Sequence, residues 1–221
     1  EEFMGRVERL YAKDAVFSVA LKEALATRAT AAAAMHDSGD TVLGMAQQAA
    51  RGQQYGALTP LMEGGGRILA AADGPRVGVF DISGWDTHFN EGAGEGQLAR
   101  RLGQLDDGLA ALKTALGPVW KKTVIATASE FGRTVKVNGT GGTDHGTGGI
   151  AFLMGGAVAG GRIHAEWVGL KPGVLKDGRD LPPQTDTRAL FKSVLQDHLG
   201  VPGQVLDERI FPDSAGAAPV K

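Results

Sequence analysis

Two short apolar runs on either side of an amphipathic helix constrain the fold of this chain more than any other feature. The runs are "RVGVFDI" (76–82) and "KKTVIATAS" (121–129), each of strand length. Leucines recur at helical spacing between them, at Leu98, Leu102, Leu105, Leu109, Leu112 and Leu116. A strand, a crossover helix and a second strand form a βαβ unit, in which the strands are parallel. The pattern therefore predicts an α/β domain with a parallel sheet.

Helical spacing of apolar residues also dominates the first third of the chain. It predicts helices over residues 1–36, from Thr41 to about Arg51, and over residues 61–72, where three consecutive glycines weaken the pattern. "AFLMGGAV" and "GRIHAEWVGL" are further short strand candidates. "TDTRALFKSVLQDHLGV" predicts a last amphipathic helix, capped by Thr185 or Asp186.

These elements predict one domain over residues 1–221. Within it we distinguish a helical part, a sheet-containing part that carries the suspected site, and a tail; they span residues 1–75, 76–211 and 212–221. No internal repeat and no linker rich in proline and serine divides the chain.

The loop "GWDTH" after the first apolar run contains an Asp-x-His pair. Ligands of open parallel sheets bind beyond the carboxyl ends of the strands. Asp86 and His88 are two residues apart, so in extended backbone both side chains leave on the same side. A carboxylate and an imidazole together form a partial site for a divalent cation such as zinc or manganese. The structural alternative is that Asp86 caps the following turn while His88 lies on the surface.

The second apolar run ends in "SEFGRT", which contains an acid and an arginine. Glu130 could ligate a metal, and the planar guanidinium of Arg133 could hold an anionic substrate oxygen. The alternative is an ion pair between Glu130 and Arg133, with Ser129 starting the turn.

A glycine-rich loop, "GTGGTDHGTGG", contains a second Asp–His pair. Glycine allows backbone shapes and close approaches that other residues forbid, and a purely structural turn rarely needs Asp144 next to His145. The alternative is a flexible loop whose side chains are solvated. Asn138, just upstream, could either turn the chain or bind substrate.

Composition excludes several classes of function. The chain of 221 residues has a formal net charge of −2 and no basic run, which argues against nucleic acid as a partner. Without cysteine it has no disulfide, no thiolate metal site and no cysteine nucleophile. No apolar run approaches the roughly 20 residues that span a bilayer. The start, "EEFMGRVERLYAKDA", shows no signal peptide and has the pattern of a helix interior, so we expect a further segment upstream.

From about Arg76 to Phe211 the motifs follow the order of a large bacterial family. "GWDTHFN", the leucine-rich helix, "TVIATASEFGRTVKVNGTGGTDHGTGG", "GGAVAGGRIHAEWVGL" and "DLPPQTDTRALFKSVL…FP" resemble domain-of-unknown-function family 1501. The first third resembles that family only loosely. The family is placed in the alkaline-phosphatase and sulfatase superfamily. The resemblance therefore implies an alkaline-phosphatase-like fold, a three-layer α/β/α arrangement with a mainly parallel sheet, incomplete at its N-terminus.

The resemblance also implies a metal site and a location. Superfamily members hydrolyse or transfer phosphate and sulfate esters with one or two divalent metals held by Asp, Glu and His at strand ends. Carried over, the metal ligands are Asp86, His88, Glu130, Asp144 and His145, with zinc first and manganese, calcium or magnesium as alternatives. Arg133 and Asn138 then become the catalytic residues. A twin-arginine export signal is frequent in the family, so we expect a periplasmic or exported protein.

Two departures from the superfamily pattern stand out. Its Asp-to-His spacing at the first motif is commonly longer than the single residue between Asp86 and His88. Its first metal-binding acid and its nucleophile come from an N-terminal strand and helix, and no strand followed by a nucleophile precedes Arg76. We therefore expect an upstream segment of the same protein to carry the nucleophile.

Together these features predict a metal-dependent hydrolase of a small anionic phosphate or sulfate ester. The alternative from another class is a non-catalytic, exported metal- or glycan-binding protein that retains the fold. A third reading assigns the Asp and His residues to caps and turns alone. Fold analogy cannot choose among these, since one fold hosts many functions.

Overall fold

The structure is a computed structural model, which describes residues 58–220 continuously and five positions before them. Those five, Ser18, Val19, Lys22, Leu25 and Ala26, are helical, as the pattern predicts. The remainder of the predicted helices over residues 1–36 and 41–51 lies outside the described residues. The chain divides into two compact units, of which one contains residues 1–83 and 101–118 and the other residues 84–100 and 119–221.

Two helices are described over their full length in the first unit. Helix α1 spans Leu58–Ala70, and helix α2 spans Gln97–Leu116, with its first turn in the second unit. A Cβ atom on Gly66 would lie 2.7 Å from the Cβ of Ala115, so the two helices approach closely only because that side chain is absent. This contact explains Gly66, although a glycine inside a helix costs about 1 kcal/mol of helix propensity.

The predicted parallel sheet is wrong. Strand β1 (Ile125–Ala126) pairs antiparallel with β4 (Leu153–Met154), and β2 (Gly132–Arg133) pairs antiparallel with β3 (His145–Gly146). Within residues 58–220 these two small sheets are the only ones, so neither a βαβ unit nor a three-layer α/β/α arrangement forms there.

The prediction failed because an apolar run indicates strand propensity but does not determine which segment the strand pairs with. Residues 76–82 form no strand, and Val79 is 91 % exposed. β1 instead pairs with β4, which follows it in the chain. Gly155, directly after β4, allows the chain to pass close to the backbone of Thr123, because a Cβ on Gly155 would collide with the Thr123 carbonyl oxygen. The predicted strand "GRIHAEWVGL" is also unpaired in the structure.

Short helices complete the second unit. Helix α3 spans Thr187–Ser193 and continues as a π-helix over Val194–His198, while α4 (Gly203–Val205) continues as a π-helix over Leu206–Ile210. Two 3₁₀ helices span Gly117–Lys122 and Pro172–Val174. The predicted final helix is confirmed, with Asp186 as its cap. Across the described part of the chain, no helix combines the length and apolar character that a membrane span requires.

Candidate metal centre

The loop after residues 76–82 directs Asp86 and His88 to the same side. The Thr87 amide donates to the Trp85 carbonyl oxygen at 3.1 Å, and the Thr87 side chain is buried. Its neighbours in the sequence therefore point away from the interior. Oδ1 of Asp86 lies 3.1 Å from Nε2 of His88, which is the shared orientation that the Asp-x-His spacing predicts.

The pairing of β2 with β3 presents the second histidine. Arg133 and His145 are direct cross-strand partners, so their side chains lie side by side. The glycine of β3 lets the two strands approach each other closely, because a Cβ on Gly146 would lie 2.6 Å from the Arg133 carbonyl oxygen.

Three ligand-bearing side chains meet at one oxygen. Oδ1 of Asp86 lies 2.8 Å from Nε2 of His145 and 3.1 Å from Nε2 of His88. One ligand atom from each of these residues lies within 4.8 Å of the others. The three side chains remain between 44 % and 53 % exposed, so an ion from solvent can reach them.

Arg133 ties the two ligand-bearing segments together. Its Nη1 donates to the Thr143 carbonyl oxygen at 2.7 Å, and its Nη2 donates to the Trp85 carbonyl oxygen at 2.7 Å and to Asp86 Oδ1 at 2.9 Å. The guanidinium fork therefore fixes one loop against the other, as its rigid donor geometry allows.

Asp144 lies behind His88 rather than with the three ligand atoms. Its Oδ1 is 3.4 Å from Nδ1 of His88 and accepts a hydrogen bond from Nδ2 of Asn138 at 3.0 Å. Asn138 Nδ2 also donates to the His88 carbonyl oxygen at 2.9 Å, and its Oδ1 accepts from the Gly142 amide at 3.0 Å. Asn138 is thus a link between the two loops.

Glu130 is the predicted ligand that the structure does not bring to the others. It is exposed and belongs to no metal-ligating group of the described residues. Its neighbour Phe131 belongs to the site but was not predicted. The Phe131 ring stacks on the His145 ring, with centroids 4.2 Å apart and planes 9° apart. Thr140, which was also missed, donates from Oγ1 to the His88 carbonyl oxygen at 2.7 Å. The only signal for Phe131 was an aromatic residue beside a glycine at a strand end.

Comparison with known proteins assigns the family. A family model described as "Protein of unknown function (DUF1501)" matches residues 4–210. The chain belongs to the DUF1501 family. No curated protein and no solved structure matches it.

The local charges of this DUF1501 chain keep both aspartates of the site ionised. The hydrogen bond from His145 lowers the pKa of Asp86, and the Arg133 hydrogen bond and the nearby His88 act in the same direction. The hydrogen bond from Asn138 lowers the pKa of Asp144, with His88 again contributing. Both carboxylates therefore stay negatively charged to lower pH than an ordinary aspartate.

The donor set of the DUF1501 site fits a divalent metal in its chemistry. One carboxylate and two imidazoles form a set that zinc accepts, and manganese accepts the same ligand types. Ligands about 2.0–2.2 Å from zinc lie roughly 3–4 Å from one another. The two contacts of Asp86 Oδ1 with the imidazole nitrogens, 2.8 and 3.1 Å, are close to that spacing. The structure therefore shows a group that could hold a metal, without indicating which one.

Proposed function

We propose that Asp86, His88 and His145 bind a divalent metal, zinc in the first place, and that this DUF1501 protein hydrolyses phosphate or sulfate esters. The observation that carries the proposal is the convergence of these three residues. His145 is 59 positions from Asp86 in the sequence, yet its Nε2 lies 2.8 Å from the Asp86 carboxylate. Such convergence is not needed to cap a turn.

The ester substrate is the part of the proposal that rests on the family resemblance. A bound metal would polarise an ester oxygen and lower the pKa of an attacking hydroxyl. A site in which the ligand atoms are half exposed leaves room for a small anionic ester. The upstream nucleophile and the exported location rest on the resemblance as well, and both belong to the proposal.

In this proposal His88 and His145 offer Nε2 and are oriented by other groups. A metal-bound histidine usually donates its second ring N–H to a carboxylate or carbonyl oxygen, which fixes its tautomer. Asp144 lies at Nδ1 of His88 in the position of such a carboxylate. The Phe131 ring fixes the plane of the His145 imidazole by stacking. We therefore assign Asp144 to orienting His88 and leave ligation to Asp86, His88 and His145.

Arg133 and Asn138 act as positioning residues in the same proposal. Both are engaged in hydrogen bonds that join the loops, as described above. Arg133 nevertheless places a positive charge 2.9 Å from Asp86, at the edge of the site where an anionic oxygen would bind. Its role in stabilising transferred charge, and the role of Asn138 in binding substrate, stay predictions.

Hydrolysis of model esters tests the proposal. The longest native form of the protein is loaded with zinc or manganese and assayed on p-nitrophenyl phosphate and p-nitrophenyl sulfate. We expect release of p-nitrophenol that stops when a chelator removes the metal and is absent from His145→Ala. His164→Ala is the matched control, since His164 is an exposed histidine outside the group. Stoichiometric metal with no turnover of either ester would favour the non-catalytic metal- or glycan-binding alternative.

A further inference from the structure

An exposed segment lies between Gly161 and Gly169. Residues 162–168 contain no helix, turn or bend, and both backbone groups of Glu166 bond to the Gln184 side chain, as the groups on one edge of extended backbone can. Ile163 is 95 % exposed and Trp167 is 68 % exposed, and with Ala165 they occupy alternate positions. In extended backbone such residues share one face, and this face is apolar.

One edge of this segment is already paired. The Glu166 amide donates to Oε1 of Gln184 at 2.9 Å, and Nε2 of Gln184 donates to the Glu166 carbonyl oxygen. The Gln184 side chain thus occupies the edge at which even-numbered residues present their backbone groups. Within residues 58–220, no hydrogen bond between backbone groups involves residues 161–170. Residues 163, 165 and 167 therefore present, on the opposite edge, N–H and C=O groups that pair with nothing else in residues 58–220.

We propose that this open edge pairs with the same edge of a second copy of the chain, antiparallel and with Ala165 opposite Ala165. In this register Ile163 of each copy lies opposite Trp167 of the other. The dimer therefore contains two pairs of a β-branched and an aromatic side chain, which is a favourable cross-strand combination. His164 lies opposite Glu166, also twice, so a carboxylate faces an imidazole at each position. The segment is therefore complementary to itself in its apolar side chains, and each Glu166 carboxylate faces an imidazole that can donate a hydrogen bond to it.

Neighbouring registers lack this complementarity. Moving the partner by two residues in one direction places His164 opposite His164, and moving it in the other places Glu166 opposite Glu166. Two Glu166 carboxylates directly opposite each other repel, and two His164 side chains opposite each other both lose the carboxylate partner. The open edge also lacks the lysine or proline with which proteins commonly protect an exposed strand. A second copy supplies the matching order of side chains, which an unrelated peptide would have to reproduce.

Single-cysteine variants test the proposed register, because the chain has no cysteine of its own. Opposite residues of a hydrogen-bonded antiparallel pair have Cα atoms about 5.5 Å apart, within the roughly 4.4–6.8 Å that a disulfide needs. Under mild oxidation we expect Ala165→Cys to form a disulfide-linked dimer at least about tenfold faster than Ile163→Cys, whose two copies would lie four residues out of register. Fastest linkage of His164→Cys or Glu166→Cys would overturn the register.

Sedimentation of the unmodified chain tests the dimer itself. We expect a concentration-dependent dimer that Ala165→Pro weakens about tenfold or more, because proline removes both central N–H donors of the pair. Val168→Pro is the matched control, because its N–H faces the Gln184 edge, and it should associate like the wild type. A chain that is monomeric at every concentration, or an Ala165→Pro variant that dimerises normally, would contradict the proposal. Neither result bears on the metal site.

Discussion

At the scale of single residues, the site is assembled by groups that bind no metal. Arg133 and Asn138 use their donors to join two segments about 50 residues apart in the sequence. The Asp-x-His spacing correctly indicated that Asp86 and His88 share a side, because alternation along the backbone is a local property. The stacking of Phe131 on His145 could not be predicted, because it depends on the pairing of β2 with β3.

Gly142 is predicted to be essential for the position of His88. A Cβ at Gly142 would collide with the His88 backbone, whereas a Cβ at Gly139 would meet nothing within 4 Å. We expect Gly142→Ala to displace the His88 loop and to lower zinc affinity by about tenfold or more, with Gly139→Ala as the matched control from the same loop. Calorimetric titration with zinc measures both. Equal affinities for the two variants would show that this close approach does not hold the site.

Asp144 is predicted to tune the metal site without forming part of it. Loss of a carboxylate that orients a ligating histidine typically costs about 10–100-fold in metal affinity. We therefore expect Asp144→Ala to bind zinc at unchanged stoichiometry with affinity reduced in that range, and Asp144→Asn, which retains an acceptor, to lie closer to the wild type. Zinc titration of both variants distinguishes this role from ligation. Complete loss of binding in Asp144→Ala would make Asp144 a ligand.

At the scale of elements, helices could be predicted, whereas strands were located only in part and their pairing was not predicted. The candidates over residues 121–129 and 151–158 contain β1 and β4, and those over 76–82 and 161–170 form no strand. The leucine repeat locates α2 correctly, and the capping signal before α3 is confirmed, because both depend on residues within one turn or two of each other. The apolar runs over residues 76–82 and 121–129 carry no information on their partners. Of the second run only Ile125–Ala126 pairs, and it pairs antiparallel.

The cap of α3 gives a prediction with a defined pH dependence. Asp186 Oδ1 accepts from the Arg188 amide at 2.8 Å, and the Arg188 side chain lowers the pKa of Asp186 to about 2, from about 3.9 for an ordinary aspartate. A carboxylate with a lowered folded-state pKa stabilises the fold above the unfolded-state value, and this stabilisation is lost as pH falls through the folded-state value. The contribution should therefore be complete above about pH 4 and disappear towards pH 2.

Denaturant unfolding of two variants tests this cap. We expect Asp186→Ala to lower the free energy of unfolding at pH 7 by about 1 kcal/mol. Asp186→Asn keeps the capping acceptor and should lose less. The difference between the wild type and Asp186→Asn should shrink between pH 4 and pH 2. A difference that is constant over this range would mean that the Arg188 ion pair contributes nothing to it.

At the scale of the whole molecule, one buried lysine connects several segments of the C-terminal region. Lys192 is 2 % exposed, and its ammonium donates to Asp207 Oδ1 at 2.5 Å and to the Ser214 carbonyl oxygen at 2.6 Å. It thereby connects α3, the π-helix over Leu206–Ile210 and the segment after Phe211. This role could not be predicted from the sequence, because lysine is rarely buried.

Lys192→Met is predicted to destabilise the fold by about 1–3 kcal/mol, because it leaves the buried Ser214 carbonyl oxygen and the partly exposed Asp207 carboxylate without their shared donor. Lys176→Met, at an exposed lysine, is the matched control and should change the free energy of unfolding by less than about 0.5 kcal/mol. Urea unfolding followed by circular dichroism measures both. Similar values for the two variants would show that the buried lysine is dispensable.

Zinc content decides whether Asp86, His88 and His145 form a metal site. The chain is incubated with excess zinc, dialysed and analysed by inductively coupled plasma mass spectrometry beside Asp86→Ala, His145→Ala and the control His164→Ala. We expect stoichiometric zinc in the wild type and in the control, and none in the other two variants. An empty wild type, or a His145→Ala variant that retains as much zinc as the wild type, would contradict this expectation.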